Sequence, residues 1–386
     1  MRICLDLSAA VHRRAGLGRY AQELTTALLA LDHDNEYIAF YNDPRVAQIE
    51  PPVDRMPRVM VDLPSKPWRL SVLLSYLLHV SQDRLFPGVD IFHATDHLLP
   101  RLARTRSVLT LHDITYHLYP QTHAARNRWF LALMMPRFLH AASALIADSQ
   151  STRRDVARLY RFDESRIRVI HAGVSARFQP TNVDAVRAIR QKYGLPARFV
   201  LYVGTIEPRK NLTTLLDAYR LFKDAEPGHG LVIAGKKGWR CSAFFRRLHE
   251  LGLEGQVIFP GFVPDEDLPA LYSAADLLAF PSLYEGFGLP ILEAMACGTP
   301  VLCSGTSSLP EVAGDAAILL DPHDVGAWVE AMVRLVRDDA LRTGLRARGL
   351  ARAARFSWEA CARATLEVYR SLQAPAHRDR PASTTS

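Results

Sequence analysis

Cysteine is scarce in this chain of 386 residues, which contains only five. The five are scattered, and neither their number nor their spacing fits a disulfide framework or a metal site, so we expect a reducing cytoplasm. No run of 18 apolar residues occurs, which argues against a transmembrane helix. Residues 1–7 alternate as a strand does and lack a secretory signal pattern, so we expect none. The length suggests two domains of ordinary size.

Acidic residues are few in one part of the first half. Between Arg101 and Arg168 there are twelve arginines, no lysine and only five acidic residues, within a chain of net charge +7. A basic face can bind nucleic acid, anionic lipid or a phosphorylated ligand. Zinc-finger, RNA-recognition and basic-zipper patterns are all missing, so we expect no nucleic-acid partner. The leucine-rich segment from Trp68 to Val80 fits either a core-facing helix or a helix on a membrane surface.

Short apolar runs alternate with helical patterns in both halves of the chain. This alternation predicts an α/β protein with two doubly wound parallel sheets. In the first half, residues 2–8 read as a strand and His12 to Gly18 as a loop containing Gly16, with a helix over 19–31. A strand, a glycine loop and a helix suggest a phosphate or sugar-nucleotide site, but a plain tight turn explains them nearly as well. The full glycine fingerprint of a nicotinamide dehydrogenase is missing.

The stretch from Pro281 to Pro300 contains two carboxylates in a characteristic setting. It follows an apolar strand, Leu277 to Phe280, and continues as a mostly apolar helix that ends at Gly298. Glu285 lies in the strand-to-helix loop, and Glu293 lies eight residues later in the early helix. In an open α/β sheet, ligands bind beside such loops. Two glutamates on a solvated helix are the simpler alternative.

Two further sites carry chemistry. Arg209 and Lys210 precede Asn211, which we expect to cap a helix, and the N-terminus of a helix favours anions. A solvated surface pair is the alternative for these two cations. His112 ends a predicted strand, where either a site histidine or a satisfied core histidine would fit. Asp265 to Asp267 formally spells a metal-binding Asp-x-Asp, but we interpret Asp265 as a helix N-cap and expect no metal.

Three groups of motifs resemble those of the retaining glycosyltransferases of family GT4, which have the GT-B fold. They are Glu-Gly-Phe-Gly-Leu-Pro with Glu-Ala-Met-Ala-Cys-Gly-Thr-Pro-Val, Gly-Thr-Ile-Glu-Pro-Arg-Lys-Asn, and His-Asp-Ile in the first half. The resemblance implies two Rossmann-like domains whose parallel sheets face each other across a cleft. It places an acceptor-binding domain at 1–178 and a sugar-nucleotide domain at 195–356. A helix over 357–373 would cross back to the first domain, and 374–386 reads as a disordered tail.

The same resemblance assigns roles to single residues. Lys210, with Arg209 beside it, would hold the diphosphate, and His112 would lie close to the reacting sugar. Glu285 would bind sugar hydroxyls and Glu293 the ribose. The remaining donor-binding positions are Gly16, Gly18, Thr205, Val263, Gly286, Phe287, Gly288 and Leu289. Among these, Val263 would hold the base through its backbone, and Thr205 stands where the family usually has an arginine.

The motif variants are most similar to those of bacterial mannosyltransferases of polysaccharide assembly. The resemblance therefore implies transfer of a hexose, with GDP-mannose favoured, to a glycan or lipid-linked acceptor. We expect no cofactor and no essential metal, and a cytoplasmic protein that associates peripherally with the inner face of the plasma membrane. A non-catalytic protein of two domains that binds sugar nucleotides is the alternative.

Overall fold

Two parallel β-sheets organise the computed structural model, which describes residues 1–373. The predicted disordered tail, 374–386, lies outside the described residues. The first sheet has seven strands in the order β3-β2-β1-β4-β5-β6-β7, and the second has six in the order β10-β9-β8-β11-β12-β13. The prediction of an α/β protein with two parallel, doubly wound sheets is confirmed.

The strands follow the predicted apolar runs closely, most of them within one or two residues. Those of the first sheet are β1 (Arg2–Asp6), β2 (Glu36–Asn42), β3 (Arg58–Val61), β4 (Ile91–Ala94), β5 (Arg106–Leu111), β6 (Ala144–Ala147) and β7 (Ile167–Val169). Those of the second sheet are β8 (Phe199–Val203), β9 (Gly230–Ala234), β10 (Val257–Gly261), β11 (Leu277–Phe280), β12 (Val301–Ser304) and β13 (Ala317–Leu320). Most of their residues are buried, as expected for parallel strands covered on both faces.

Helices fill the connections between the strands. They are α1 (Ser8–Val11), α2 (Ala15–Leu31), α3 (Ser65–Leu77), α4 (Thr115–Leu118), α5 (Ala125–Ala141), α6 (Gln150–Tyr160), α7 (Val183–Tyr193), α8 (Leu212–Ala225), α9 (Ser242–Glu250), α10 (Leu268–Ala274), α11 (Leu289–Ala296), α12 (Leu309–Ala313), α13 (Val325–Arg337), α14 (Asp339–Ala353) and α15 (Trp358–Ser371). Within the described part of the chain, no helix is both long and apolar enough to cross a bilayer.

The glycine loop predicted before α2 is wrong. The helix already begins at Ala15, so both Gly16 and Gly18 lie in its first turns. Gly18 is required there by packing, because a β-carbon at this position would lie 2.7 Å from the carbonyl oxygen of Ala9. Helix α1, which the sequence did not indicate, therefore packs closely against α2. A β-carbon at Gly16 would meet nothing within 4 Å.

Helix α3 has one buried face and one exposed apolar face. Trp68, Val72 and Tyr76 are buried in the core. On the other face, Leu70, Leu74, Leu77 and Leu78 are exposed, at the i, i+4, i+7 and i+8 spacing of one helical stripe.

The chain divides into two compact units. The first unit contains Met1–Leu109, Phe138–Leu145 and the chain from Ala362, and the second contains Thr110–Arg137 and Ile146–Cys361. In the first unit, the last helix is held to β4 by a hydrogen bond of 2.6 Å between His93 Nδ1 and the hydroxyl of Tyr369. The predicted domain boundaries follow the two sheets, whereas these units do not, so the boundaries stay a prediction.

Candidate functional site

Two loops flank the point where the second sheet reverses its strand order. Strand β8 lies between β9 and β11, and from it the chain proceeds to β9 and β10 on one side but returns through β11 on the other. The loops after β8 and β11 therefore border the crevice in which doubly wound sheets bind ligands. Lys210 lies after β8 and Glu285 after β11, as the sequence predicted.

Four charged side chains from these two loops form one network. Lys210 Nζ lies 2.5 Å from Glu285 Oε1, and Arg209 Nη1 lies 2.9 Å from Glu285 Oε2. Arg209 Nη2 also donates to Glu207 Oε1 at 2.8 Å. All four side chains are at most 15 % exposed. The alternative of a solvated surface pair for Arg209 and Lys210 is therefore wrong.

The network sets the protonation of its members. Burial alone would raise the pKa of Glu285, but the charges of Arg209 and Lys210 outweigh it and lower the pKa to about 2. Burial lowers the pKa of Lys210, as does the charge of Arg209, while Glu285 opposes both. The carboxylates of Glu285 and Glu207 raise the pKa of Arg209 above its already high value, against the effect of burial. Glu285 is therefore ionised at neutral pH and holds the side chains of Arg209 and Lys210 in place.

Asn211 joins the two loops, although not as a capping residue. It occupies the N-cap position of α8 with a left-handed φ of 54° and makes no side-chain capping bond. Instead, its Nδ2 donates to the carbonyl oxygens of Pro281 at 3.2 Å and Pro322 at 2.7 Å. The predicted position is confirmed and the predicted capping bond is wrong: the bonds from Nδ2 orient the side chain, and its Oδ1 accepts from the hydroxyl of Thr214 at 3.0 Å instead of from a backbone N–H.

The loop that contains Glu285 is held by two serines that follow β12. The backbone N–H of Glu285 donates to Ser307 Oγ at 2.9 Å, and Ser308 Oγ donates to the carbonyl oxygens of Glu285 and Phe287. Gly288 then takes a φ of 112° and Leu289 begins α11. This left-handed conformation favours glycine and turns the chain into the helix.

Gly286 lies directly against His112. A β-carbon on Gly286 would be 1.8 Å from the carbonyl oxygen of His112, so no other residue fits without a backbone shift. Thr152 Oγ1 donates to the same carbonyl oxygen at 3.0 Å and lies 3.4 Å from that of Gly286. The structure therefore places the backbone of His112 against the residue that follows Glu285, although 173 residues separate His112 from Glu285 in the sequence.

Sequence reasoning missed Asp148. Its Oδ2 lies 3.1 Å from His112 Nδ1, and it is almost fully buried. Burial raises the pKa of Asp148, and the hydrogen bond and charge of His112 oppose this rise. A signal was available, because Asp148 follows β6 just as His112 follows the neighbouring β5. Glu207, the partner of Arg209, was also missed.

The structure places the remaining donor-binding candidates individually. Thr205 follows β8 and Val263 follows β10. Glu293 is almost fully buried in α11, where its Oε2 accepts a hydrogen bond from the Tyr272 hydroxyl at 2.8 Å. Gly16 and Gly18 belong to the other unit.

The aspartates of the Asp-x-Asp sequence have protein partners. Asp267 accepts hydrogen bonds from Lys192 Nζ and the Tyr193 hydroxyl, each at 2.6 Å, and Asp265 lies 3.6 Å from Arg177. Helix α10 begins only at Leu268, so the predicted N-cap at Asp265 is wrong by two residues. Residues 1–373 contain no cluster of three or more histidine, cysteine or acidic side chains that could hold a metal ion.

Solved structures share this fold over nearly the whole chain. Sucrose-phosphate synthase from Thermosynechococcus elongatus superposes with a TM-score of 0.77 at 24% identity, covering 96% of this chain and 99% of that one. Anabaena Alr3699/HepE in complex with UDP and glucose gives 0.74 at 20% identity, covering 96% and 100%. Two doubly wound parallel sheets of this kind define the GT-B fold of glycosyltransferases.

Family models divide the chain at the same place as the two sheets. The model of Glycosyltransferase Family 4 matches residues 14–178, and that of Glycosyl transferases group 1 matches residues 186–352. O-antigen chain mannosyltransferase B of Escherichia coli is 34% identical over 96% of this chain and 100% of its own length. The chain therefore belongs to glycosyltransferase family 4.

Other relatives match over shorter ranges. The serotype-specific mannosyltransferase WbdA of Escherichia coli is 37% identical over 60% of this chain and 29% of its own length. D-inositol 3-phosphate glycosyltransferase of Salinispora tropica is 37% identical over 62% of this chain and 53% of its own length. The two relatives differ in the activity that their names state, so they leave the acceptor of this chain open.

Proposed function

We propose that this glycosyltransferase moves a mannosyl residue from GDP-mannose to a glycan or lipid-linked acceptor during synthesis of a cell-surface polysaccharide, with retention of configuration. The observation that carries the proposal is the network of Lys210, Arg209 and Glu285 at the reversal point of the second sheet. It combines cations for a leaving diphosphate with a carboxylate for sugar hydroxyls. Mannosyl transfer rests on the relative that matches along its whole length.

Each residue of the site has a distinct task in this proposal. Lys210 and Arg209 would stabilise the negative charge that grows on the diphosphate as its bond to the sugar breaks. Glu285 would accept hydrogen bonds from hydroxyl groups of the sugar. The backbone N–H groups of Phe287, Gly288 and Leu289 would donate hydrogen bonds to the sugar. Glu293 would serve the ribose, and the backbone of Val263 the base. Since Glu285 already fixes both cations, the donor would meet them in position.

The transfer step needs no covalent enzyme intermediate. In a front-face displacement, the bond from sugar C1 to the phosphate oxygen breaks while the acceptor oxygen bonds to C1 on the same face. The departing phosphate oxygen takes the acceptor proton, and GDP leaves. His112 would bind the reacting sugar, and Asp148 would orient the imidazole.

We infer that no metal or other cofactor takes part, because the cations of Arg209 and Lys210 would neutralise the diphosphate in place of a metal. Treatment with EDTA should leave activity largely intact. Complete loss that Mg²⁺ or Mn²⁺ restores would show that a metal is required.

We also propose that the protein works at the inner face of the plasma membrane, bound to anionic lipid. On α3 the exposed leucine stripe lies on a helix whose only charged residues are Lys66 and Arg69. On α5, Trp129 and Leu133 are exposed between Arg126 and Arg137, and this helix contains no acidic residue. Such faces suit the interface of an anionic bilayer. Co-sedimentation with vesicles should rise with anionic lipid and fall with salt; equal binding to neutral vesicles, or none, would refute this.

The donor is tested with a panel of radiolabelled sugar nucleotides. GDP-mannose should be turned over fastest, with label passing to an acceptor or to water. Faster turnover of another sugar nucleotide would show that the proposed sugar or the proposed base of the donor is wrong. Binding of sugar nucleotides without any turnover would instead support the non-catalytic alternative.

A further inference from the structure

Helix α12 contacts both the loop of Glu285 and the start of α6. At its N-terminal end, Ser308 Oγ donates to the carbonyl oxygens of Glu285 at 2.9 Å and Phe287 at 2.8 Å. Three residues later, both carboxylate oxygens of Glu311 lie 2.9 Å from the backbone nitrogen of Gln150. This helix of five residues therefore joins two elements that carry the candidate site.

The start of α6 carries the residues that hold His112. Asp148, whose carboxylate contacts the imidazole, comes two residues before Gln150. Thr152, whose hydroxyl donates to the carbonyl oxygen of His112, comes two residues after Gln150. Ser149 caps the helix, and its Oγ accepts from the backbone N–H of Thr152 at 3.0 Å. A displacement of this first turn would therefore move both contacts of His112.

The carboxylate of Glu311 accepts hydrogen bonds from three residues. Besides Gln150, these are Ser151, whose backbone nitrogen lies 3.4 Å from Oε2, and His171, whose Nε2 lies 2.6 Å from Oε1. The dipole of α6 also favours a negative charge at this end of the helix. Burial alone would raise the pKa of Glu311, but the hydrogen bonds from His171 and from the two backbone N–H groups outweigh it and lower the pKa. Glu311 is therefore ionised at neutral pH.

His171 connects Glu311 to the loop of Glu285 a second time. Because a carboxylate can only accept, Nε2 of His171 carries the proton that it donates to Glu311. The imidazole stacks on the ring of Phe287, with the centroids 5.8 Å apart and an interplanar angle of 27°. It also lies edge-on to Phe356, with the centroids 5.6 Å apart. The orientation of the carboxylate is therefore fixed from the side of the donor loop as well as from α6.

We propose that Glu311 is a positioning residue for the transfer reaction, because it holds the start of α6, and with it His112, in place against the loop of Glu285. His112 and Glu285 come from distant segments of the chain, so contacts of this kind determine their relative position. A misplacement of about 1 Å can slow an enzymatic reaction about a hundredfold. The inference rests on the proposed function and adds the residue that aligns the two parts of its site.

A second carboxylate at the N-terminus of a helix provides a matched control. Asp338 caps α14, and its Oδ1 accepts from the backbone N–H of Leu341 at 2.8 Å. Glu311→Ala and Asp338→Ala each remove such a carboxylate, so both should lower the melting temperature. Only Glu311→Ala should also lower kcat, by at least tenfold. Its Kd for GDP should stay within twofold of the wild type, because Lys210 and Arg209 are unchanged.

Nitrogen NMR of the histidine side chains gives a measurement that does not depend on turnover. The signals of His112, assigned with His112→Gln, should move in Glu311→Ala and stay in place in Asp338→Ala. Glu311→Gln should recover most of the kcat, because its amide oxygen can accept from α6 while its NH2 group donates to the other tautomer of His171. If Glu311→Ala does not fold, Glu311→Asp serves in its place. Its side chain is one CH2 group shorter, so kcat should fall at least threefold and the His112 signals should move.

Three outcomes would overturn the proposal. Unchanged kcat or unchanged His112 signals in the variant that lacks the Glu311 contacts would reduce this carboxylate to a helix cap. An equal loss of kcat in Asp338→Ala would mean that any loosening of the second unit slows the reaction. A kcat in Glu311→Gln as low as in Glu311→Ala would show that the negative charge matters, and not the position that it enforces.

The NMR measurement separates this inference from the proposed function. If no sugar nucleotide is turned over but the His112 signals still move only in Glu311→Ala, the proposed function fails and the positioning of His112 by Glu311 stands. If GDP-mannose is turned over and Glu311→Ala changes neither kcat nor the His112 signals, the proposed function stands and this inference fails.

Discussion

The ammonium group of Lys210 lies 2.5 Å from Oε1 of Glu285, so the residue assigned to the diphosphate and the residue assigned to the sugar neutralise each other. The pair spans the two loops at the reversal point of the second sheet. An arriving donor would share Lys210 with Glu285 rather than meet a free cation. Binding of the diphosphate and orientation of the sugar would therefore be coupled through this contact.

Lys210→Ala should reduce kcat/KM for the donor by about ten- to a hundredfold, because a charge-assisted contact to a diphosphate contributes ~1.5–3 kcal/mol. Arg209 would remain to hold Glu285. Steady-state kinetics on the variant measure the effect, with Lys223→Ala in the last turn of α8, outside the network, as control. Near-normal kcat and KM would mean that Lys210 does not contact the diphosphate.

Glu285→Gln and Glu293→Gln should affect different kinetic constants. Glu285 would face the sugar, where charge develops in the transition state, so its loss should mainly lower kcat. Glu293 would bind a ribose that does not change during the reaction, so its loss should mainly raise donor KM. Tyr272→Phe, which removes the hydrogen bond to Glu293, controls for disturbance of that carboxylate. Donor-saturation curves measure both constants. A lower kcat in Glu293→Gln together with a higher donor KM in Glu285→Gln would reverse the roles assigned to the two glutamates.

Gly16 and Gly18 should respond to alanine in opposite ways. Gly16→Ala should leave the melting temperature unchanged or raise it, since alanine in a helix is favoured over glycine by roughly 0.5–1 kcal/mol and the space is open. Reduced turnover by this stable variant would then show that a ligand approaches Gly16. Gly18→Ala should lower the melting temperature because it crowds Ala9. Unaltered activity in Gly16→Ala would remove Gly16 from the site.

Asp148→Asn should lower kcat by about tenfold or more with little change in donor KM, where each factor of ten is about 1.4 kcal/mol. The carboxylate of Asp148 can only accept a hydrogen bond, so it favours the tautomer of His112 with the proton on Nδ1. The amide of asparagine can present its NH2 group to Nδ1 instead and favour the other tautomer. Nitrogen NMR shifts of His112 report the tautomer directly. Asp163→Asn, at an exposed turn, should change neither quantity. An unchanged tautomer in Asp148→Asn would leave Asp148 with a purely structural role.

Asp6 should make stability depend on pH. Burial raises its pKa from 3.8 to about 6, with hydrogen bonds from Ser8 acting in the opposite direction. Because the folded state holds this proton more tightly than the unfolded state, the stabilisation is complete below about pH 4 and is lost as pH rises through 6. The loss is on the order of 2–3 kcal/mol. Urea unfolding at pH 4 and pH 7 should show it in the wild type but not in Asp6→Asn; equal pH dependence would contradict it.

The strands and the loops after β8 and β11 could be predicted because their sequence signals are local. Apolar runs of four to six residues mark buried parallel strands, and the motif around Glu285 is contiguous. The start of α2 was missed because Gly16 and Gly18 resemble a loop, whereas contact with Ala9 makes Gly18 compatible with a helix.

Contacts between distant residues could not be predicted to the same extent. His112 and Asp148 lie 36 residues apart and meet only because β5 and β6 are neighbours. Lys210 and Glu285 lie 75 residues apart and meet because β11 returns beside β8. The strand order determines both contacts, and this order cannot be read from a single sequence.

The last helix returns to the first unit, where Tyr369 bonds to His93, and this has a consequence for the nascent chain. Synthesis proceeds from the N-terminus at about 5–20 residues per second, and domains tend to fold as they emerge. Here β4 is made early, but its partner Tyr369 is made only after the second unit, which ends at Cys361. The hydrogen bond between Tyr369 and His93, and with it the first unit, is therefore completed only after the whole second unit has been synthesised.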